Sequence, residues 1–314
     1  MRKSNKSKTR CVAILGAGRM GADIALAFAH AGWCCDVHES DPTRRTQVRK
    51  YWRAECRRLG ITSANLRLHD AIDAIDWKCV DLLIESVTEN LALKQRLLRE
   101  IEPRMRRDAY IATNTSSLRI GEVTRVLKRP QRSGGMHFMV PAHIMLAVEV
   151  TKGPKTSPAT LRRFVEWLEE MGKVPIVLRR DVPGQLINRI QHAMYREIYH
   201  LMDQGVVTAE DVDRAVRFGF GFRYNILGPV VSRDINGLPV HLATAKNLYP
   251  TLYNGRSAPR LLARLVKAGH VGVRSGRGFY EWDPKTVERR MRRFSEMLEA
   301  SLRRVKRVGE PTAF

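Results

Sequence analysis

The sequence predicts an α/β fold, a doubly wound and mostly parallel sheet followed by an all-helical segment, from three observations. Short apolar runs alternate with amphipathic stretches through the first half. A glycine turn, Gly16-Ala17-Gly18-Arg19-Met20-Gly21, ends the first apolar run and opens a periodic stretch. Beyond Asp181-Val182-Pro183-Gly184 the helical patterns follow one another with no strand between them.

The elements can be justified in order. Residues 12–15 are a compact aliphatic run, and apolar periodicity then predicts a helix to residue 31. Residues 34–38 form the next strand pattern, with a basic helix over 44–59 after it. Strand patterns follow at 80–85, 110–113, 146–150 and 174–178, separated by helical patterns from Leu91, over 120–127 and over 158–171. Pro183 suits the first turn of a new helix. From there, 185–202, 209–218, 239–248 and 259–268 read as helices, 269–280 as a glycine- and arginine-rich turn region, and 285–308 as a basic amphipathic helix. Residues 11–181 are therefore expected to be one domain, and residues 182–314 a second, all-helical domain.

The chain has 314 residues, 44% of them hydrophobic, which describes a globular protein with a sizeable core. Its 55 basic and 32 acidic residues give a net charge of +23, which favours anionic partners. The arginines are spread along the whole chain, so the charge reads as a solvated basic surface rather than a nucleic-acid site. Five cysteines without metal-type spacing read as buried thiols in a reducing cytoplasm, and no metal site is expected. Residues 1–10 read as a disordered basic arm, not a signal peptide, because Arg19 and Asp23 interrupt the apolar stretch that follows. No apolar run approaches the ~20 residues of a membrane helix, so no membrane association is expected.

The glycine turn matches G-x-G-x-x-G, the turn that brings a dinucleotide pyrophosphate against a helix N-terminus in a Rossmann-type sheet. Gly16 would make the tight turn, Gly18 would admit the phosphates, and Gly21 would let helix pack on strand, with Arg19 and Met20 between them. Glu39 ends the second strand pattern, where it would accept hydrogen bonds from the adenine ribose and repel a 2′-phosphate. NAD is the expected cofactor, although Arg44 and Arg45 lie close enough in sequence to hold a phosphate instead.

Ser116, His137 and Glu149 supply a hydroxyl, an imidazole and a carboxylate, a set suited to moving a proton beside a redox cofactor. Each has a plainer reading: an N-cap, a core histidine, a strand-end charge. In order and spacing, Gly16 to Gly21, Thr88-Glu89-Asn90-Leu91, Asn114-Thr115-Ser116-Ser117-Leu118, Met136-His137-Phe138, Val148-Glu149-Val150 and Pro183-Gly184-Gln185-Leu186-Ile187-Asn188-Arg189 resemble the 3-hydroxyacyl-CoA dehydrogenases. The stretch from Gly219 to Leu238 is also similar to superfamily relatives acting on small hydroxy acids, such as gulonate dehydrogenase and lambda-crystallin.

The resemblance implies an NAD-dependent oxidation of a 3-hydroxy group to a ketone, with a place in fatty acid metabolism. His137 would be the general base and Glu149 would orient it. Ser116 would hydrogen-bond the substrate oxygen, and Asn188 would complete the polar grip from the helical domain. Glu89, Lys94 and Asn114 would belong to the cofactor side. The substrate would be anionic, a 3-hydroxyacyl-CoA as the family default with a free hydroxy acid or ring carboxylate as the alternative, and the enzyme a homodimer. Two readings from other classes are a catalytically weakened structural relative and a polyanion-binding protein.

Three departures stand out. The family's asparagine three residues after the histidine is Val140 here. Residues 43–68 are shorter than the helical hairpin that helps hold coenzyme A. His143 is an additional histidine beside the expected pocket, read here as a loop residue.

Overall fold

A computed structural model describes residues 9–308, with side chains through residue 305. Eight strands form one sheet: β1 (Cys11–Leu15), β2 (Cys34–His38), β3 (Leu66–His69), β4 (Leu82–Glu85), β5 (Tyr110–Thr113), β6 (Ser133–Phe138), β7 (Ala147–Thr151) and β8 (Val174–Leu178). Their order is β3-β2-β1-β4-β5-β6-β7-β8, parallel throughout except for the antiparallel β6–β7 pair. The central strands are continuous apolar runs because helices cover both faces of a parallel sheet.

Helices α1 (Arg19–His30), α2 (Pro42–Leu59), α3 (Leu91–Ile101), α4 (Ile120–Thr124) and α5 (Pro158–Glu170) supply that cover. One core joins Phe28, Trp52, Phe164 and Trp167 to Val12, Ile14, Cys35 and Val37, and the other joins Leu98, Ile101, Val123 and Trp77 to Ala13, Leu15 and Leu83. Odd and even residues of β1 thus enter opposite layers, as strand alternation requires.

The compact units divide after Arg189. Helix α6 (Ile187–Asp203) begins in the first unit and continues into the second, which adds α7 (Ala209–Arg214), α8 (Gly221–Tyr224), α9 (Pro229–Asn236), α10 (Leu238–Leu248), α11 (Arg260–Lys267) and α12 (Pro284–Val308). Among the described residues beyond Gln185 not one is buried, and Phe218, Val230, Tyr249 and Val266 are 61–76% exposed.

Several expectations need correction. Strands β3 and β6 carry no strand signal that the sequence reading used, and both are present. Pro183 lies in a turn closed by Gln185 N donating to Val182 O, and the helix starts only at Ile187. Most of the expected disordered arm, residues 1–8, lies outside the described residues, but Arg10 is engaged: it pairs with Glu170 and lies over the Trp33 ring. Cys35 and Cys56 are buried, whereas Cys79 is exposed. No helix of the described residues is long and apolar enough to cross a membrane.

Candidate active site

The turn between β1 and α1 has the shape a dinucleotide needs. Gly16 has φ +88°, and a Cβ there would lie 2.8 Å from the Ser86 carbonyl oxygen. A Cβ on Gly21 would stand 1.9 Å from the Gly16 carbonyl oxygen, so that position holds strand and helix together. At Gly18 nothing lies within 4 Å of the same point, and no side chain caps the α1 N-terminus. Open space beside uncapped N–H groups suits a pyrophosphate. Arg19 is exposed there, while Met20 packs against the core.

Glu39 follows β2 and is 5% exposed. Its Oε2 accepts from Ala17 N at 3.0 Å and its Oε1 from Asp41 N at 3.1 Å, which ties it to the glycine turn. Arg44 approaches Oε2 at 3.5 Å, and Arg45 is turned back onto the Glu39 and Ser40 carbonyls. The nearby arginines therefore serve this carboxylate and its loop.

The His137–Glu149 pair is a product of sheet register. The antiparallel β6–β7 ladder sets these residues directly opposite each other, so their side chains leave the same face. Nδ1 of His137 lies 2.7 Å from Glu149 Oε2, and the other carboxylate oxygen, Oε1, accepts from the Leu186 and Ile187 amides at 2.8 Å each. Those amides open α6, so the carboxylate also occupies a helix N-terminus. Burial alone would raise the Glu149 pKa, but the hydrogen bonds from His137, Ile187 and Leu186 outweigh it and lower it. An ionised carboxylate only accepts, so Nδ1 donates to it, and in the neutral imidazole the lone pair is on Nε2.

A second carboxylate shapes the loop after β5. Oε1 of Glu89 accepts from the Ser116, Ser117 and Leu118 amides at 2.9–3.4 Å and from the Thr115 and Ser117 hydroxyls. Burial opposes its ionisation, yet the Thr115 and Ser117 hydrogen bonds and the Lys94 charge prevail and bring its pKa down to about 2. Lys94 is 1% exposed and donates to Glu85 Oε1 at 2.8 Å and Val87 O at 3.1 Å, while pairing with Glu89 Oε2 at 3.3 Å. Two hydrogen bonds and one ion pair engage the ammonium, so Lys94 stands behind the loop as its support.

The loop so held carries Asn114 and Ser116. Asn114 Oδ1 accepts from Phe138 N at 2.9 Å, beside His137, and its Nδ2 reaches Ser86 Oγ at 3.3 Å. Asn188 Nδ2 donates to the Ser116 carbonyl at 3.3 Å, and this contact lies within the first unit. Ser116 does not cap α4: Asp181 does so from 60 residues away, accepting from Ile120 N at 3.0 Å and Gly121 N at 2.7 Å. The structure thus gathers Asn114, Ser116, Asn188 and Glu89 around one loop and pairs His137 with Glu149.

Sequence reasoning missed three supports. Glu85 is fully buried, accepting from Lys94, Val87 N and Thr113. Gln185 is 2% exposed, and Asp23 is 2% exposed beneath the segment that follows His137. Only Glu85 left a signal, as a charge ending an apolar strand. His143 lies in the turn after β6, and its side chain is 6% exposed, with Nδ1 3.3 Å from Asp23 Oδ1 and Nε2 3.5 Å from Glu55 Oε2. Val140 is 47% exposed on the same segment.

Comparison with known proteins gives this geometry its context. Residues 11–182 match the NAD binding domain of 3-hydroxyacyl-CoA dehydrogenase, and residues 184–282 its C-terminal domain. A 5-formyl-3-hydroxy-2-methylpyridine 4-carboxylate 5-dehydrogenase of Mesorhizobium japonicum is 29% identical over 288 residues, 89% of this chain and 93% of that protein. A solved enzyme of that activity, described as an NAD+ dependent dismutase, superposes with a TM-score of 0.89 at 29% identity, covering 95% of this chain and 99% of the other. A probable 3-hydroxybutyryl-CoA dehydrogenase of Bacillus subtilis is 31% identical over 285 residues, 88% of this chain and 98% of that one. The solved (S)-3-hydroxybutyryl-CoA dehydrogenase of Ralstonia eutropha gives a TM-score of 0.69 at 29% identity, covering 88% and 100%. The chain belongs to the 3-hydroxyacyl-CoA dehydrogenase family and is an NAD-dependent oxidoreductase.

Proposed function

We propose that the enzyme moves a hydride between NAD and the carbon bearing a hydroxyl group, with His137 as general base and Glu149 as the group that orients it. The observation that carries this reading is the buried 2.7 Å His137–Glu149 pair, with Glu149 held ionised by two backbone amides. Bound NAD supplies the hydride acceptor. His137 Nε2 takes the hydroxyl proton as the carbonyl forms, and Glu149 stabilises the resulting imidazolium, as in base-plus-orienter pairs generally. The Ser116 hydroxyl donates to the substrate oxygen, and Asn188 steadies Ser116 through its carbonyl. Gly16, Gly18 and Gly21 hold the pyrophosphate, with the exposed Arg19 and the adjoining Met20 backbone beside it. Glu39 takes the ribose hydroxyls. Asn114, Glu89 and Lys94 fix the loop on the nicotinamide side.

For the substrate, a small carboxylate on a ring or short chain is favoured over a CoA thioester. Between β2 and β3 stands one long helix, α2, and a single short turn, with no helical hairpin to hold coenzyme A. Val140 replaces an amide beside the reacting centre, and the pyridine carboxylate enzyme gives the higher of the two TM-scores. The second reading, a 3-hydroxyacyl-CoA, is favoured by the 31% identical 3-hydroxybutyryl-CoA relative and would place the enzyme in fatty acid metabolism.

The homodimer belongs to the same reading. A helical unit without one buried side chain among its described residues leaves its apolar surface to be covered by a second copy. A reducing cytoplasm suits five cysteines of which none is bridged among the described residues.

The test measures NADH absorbance with 3-hydroxybutyryl-CoA, free hydroxy acids and 5-formyl-3-hydroxy-2-methylpyridine 4-carboxylate, whose formyl carbon bears a hydroxyl as its hydrate, so that loss of a hydride to NAD and a proton to His137 leaves the carboxylic acid. Turnover with the free carboxylates and little with the thioester is expected. The reverse ranking selects the second reading, and no turnover with any of them, or full turnover in His137→Asn, refutes the proton-transfer role. Light scattering on a sizing column checks the dimer, and a monomer at micromolar concentration contradicts it.

A further inference from the structure

Gln185 combines three properties that seldom coincide at a structurally neutral position. It has φ +49°, the one positive-φ residue other than glycine among the described residues, in a region that favours glycine. It is 2% exposed although polar. Both ends of its amide are engaged, Nε2 donating to the Thr115 carbonyl at 2.7 Å and Oε1 accepting from Thr151 Oγ1 at 2.9 Å. A strained backbone persists where the surroundings enforce it, and such positions cluster at working sites.

Its partners sit in the two halves of the site. Thr115 precedes Ser116 on the loop after β5. Thr151 shares a face of β7 with Glu149, two residues before it, and stands opposite Gly135, where a Cβ would lie 3.1 Å from the Thr151 Cβ. Immediately after Gln185 come the Leu186 and Ile187 amides that hold Glu149, and then Asn188, which holds the Ser116 carbonyl. The left-handed turn at Gln185 aims those amides at the carboxylate, while its side chain ties the turn to both elements.

We propose that Gln185 is a positioning residue for hydride transfer: its amide fixes the Ser116 loop relative to the His137–Glu149 pair, and its backbone presents the two amides that keep Glu149 in place. The inference rests on the proton-transfer reading given above. Misplacing a reacting group by about an ångström costs roughly a hundredfold in rate. Loss of the amide therefore acts on turnover far more than on cofactor binding.

The experiment compares wild type with Gln185→Met, which removes both hydrogen bonds at similar volume, and Gln185→Gly, which removes them while relieving the backbone. His137→Asn is the control. Turnover is read with 3-hydroxybutyryl-CoA and with 5-formyl-3-hydroxy-2-methylpyridine 4-carboxylate, NADH affinity by fluorescence, and the His137 Nδ1 proton by NMR of the full chain without substrate. The expected result is kcat lowered roughly 10- to 100-fold in both Gln185 variants. NADH affinity should stay within about twofold, and the Nδ1 proton should lose its downfield position against Glu149. Gln185→Gly should melt no lower than Gln185→Met, so that lost turnover cannot be put down to lost stability. An unshifted Nδ1 proton, or turnover within about threefold of wild type in Gln185→Met beside an inactive His137→Asn, overturns the positioning role alone. Turnover retained in His137→Asn removes the proton-transfer reading, and this inference with it.

Discussion

Replacing Glu149 by glutamine tests the centre of the proposed chemistry with little change in shape. The carboxylate accepts three hydrogen bonds, from His137 Nδ1 and from the Leu186 and Ile187 amides. A glutamine can keep both amides on its oxygen only by turning its NH2 toward His137. That reverses the tautomer, leaving Nε2 protonated and useless as a base. It also removes the charge facing the imidazolium that forms during reaction. At 2.7 Å and an effective dielectric of ~20 that attraction is about 6 kcal/mol, a ceiling of roughly four decades in rate, and relaxation of the site lowers it. The expected outcome of Glu149→Gln is a kcat lower by about 10³- to 10⁴-fold, as for comparable orienting carboxylates. The NADH dissociation constant should stay unchanged, because Glu149 does not touch the glycine turn. Two amide bonds to a charged acceptor become bonds to a neutral one, a loss of stability of about 1–2 kcal/mol by chemical denaturation. Stopped-flow measurement of NADH formation reads the rate directly. A kcat within tenfold of wild type, in a variant that binds NADH normally, would refute the argument that Glu149 sets the proton position on His137.

The other predictions follow from groups whose partners are equally explicit. Glu39→Ala should weaken NAD binding by at least about tenfold and reduce its preference over NADP, because a buried acceptor for the ribose and for Ala17 N is lost; unchanged KM ratios for the two cofactors would remove Glu39 from the ribose site. Glu89 titrates at about 2 in the folded chain against 4.5 ordinarily, so its contribution is present above pH ~4.5 and is lost as pH falls toward 2. With its side chain 33% exposed, that contribution is about 1–2 kcal/mol, and Glu89→Gln should lower stability by that much at pH 7 and by nothing near pH 2; parallel denaturation curves at both pH values contradict it. Lys94→Met leaves the buried Glu85 carboxylate uncompensated and should cost about 3–5 kcal/mol in urea denaturation, unless Glu85 is replaced by glutamine in the same chain.

What the sequence disclosed follows from how each residue is held. Strands β1, β4 and β5 were legible because a strand buried on both faces is a nearly continuous apolar run. β6 was not, because it opens Ser133-Gly134-Gly135: a Cβ on Gly134 would come within 3.2 Å of the Phe164 ring and one on Gly135 within 2.8 Å of Ile120. Packing there demands small residues, and small residues erase the strand signal. β3, an edge strand, alternates apolar and basic residues and so resembles the basic helix before it. His137 and Glu149 were legible through the motifs around them, Met136-His137-Phe138 and Val148-Glu149-Val150, and not through the strand that carries His137. Gln185, Asp181 and Asp23 were not, since their side-chain hydrogen-bond partners lie 28 to 119 residues away and a single polar letter carries no record of so distant a contact.

In the function proposed above, the segment after His137 borders the reacting centre, and Val140 is its exposed point. The segment is firmly anchored: Asp23 Oδ2 accepts from Ala142 N at 3.2 Å, and Lys173 Nζ donates to the Ala142 and Met145 carbonyls at 2.7 and 2.8 Å. His143 lies buried between Asp23 and Glu55. With its backbone fixed and 47% of its surface exposed, Val140 can change chemistry without moving the loop. Val140→Asn should therefore leave stability within about 0.5 kcal/mol of wild type, as for a surface substitution away from packed features. In turnover it should act selectively, because an amide offers a donor and an acceptor where the valine offers only an apolar surface. An asparagine that hydrogen-bonds the reacting end of a thioester substrate would raise kcat/KM for 3-hydroxybutyryl-CoA by about tenfold, the yield of one good hydrogen bond. The same amide would have to be desolvated against an aromatic ring, so kcat/KM for the pyridine carboxylate should fall. Equal changes for both substrates would mean that Val140 lies outside the specificity determinant, and the proposal of a small carboxylate would then rest on the absence of a coenzyme A hairpin and on the superposition with the pyridine carboxylate enzyme.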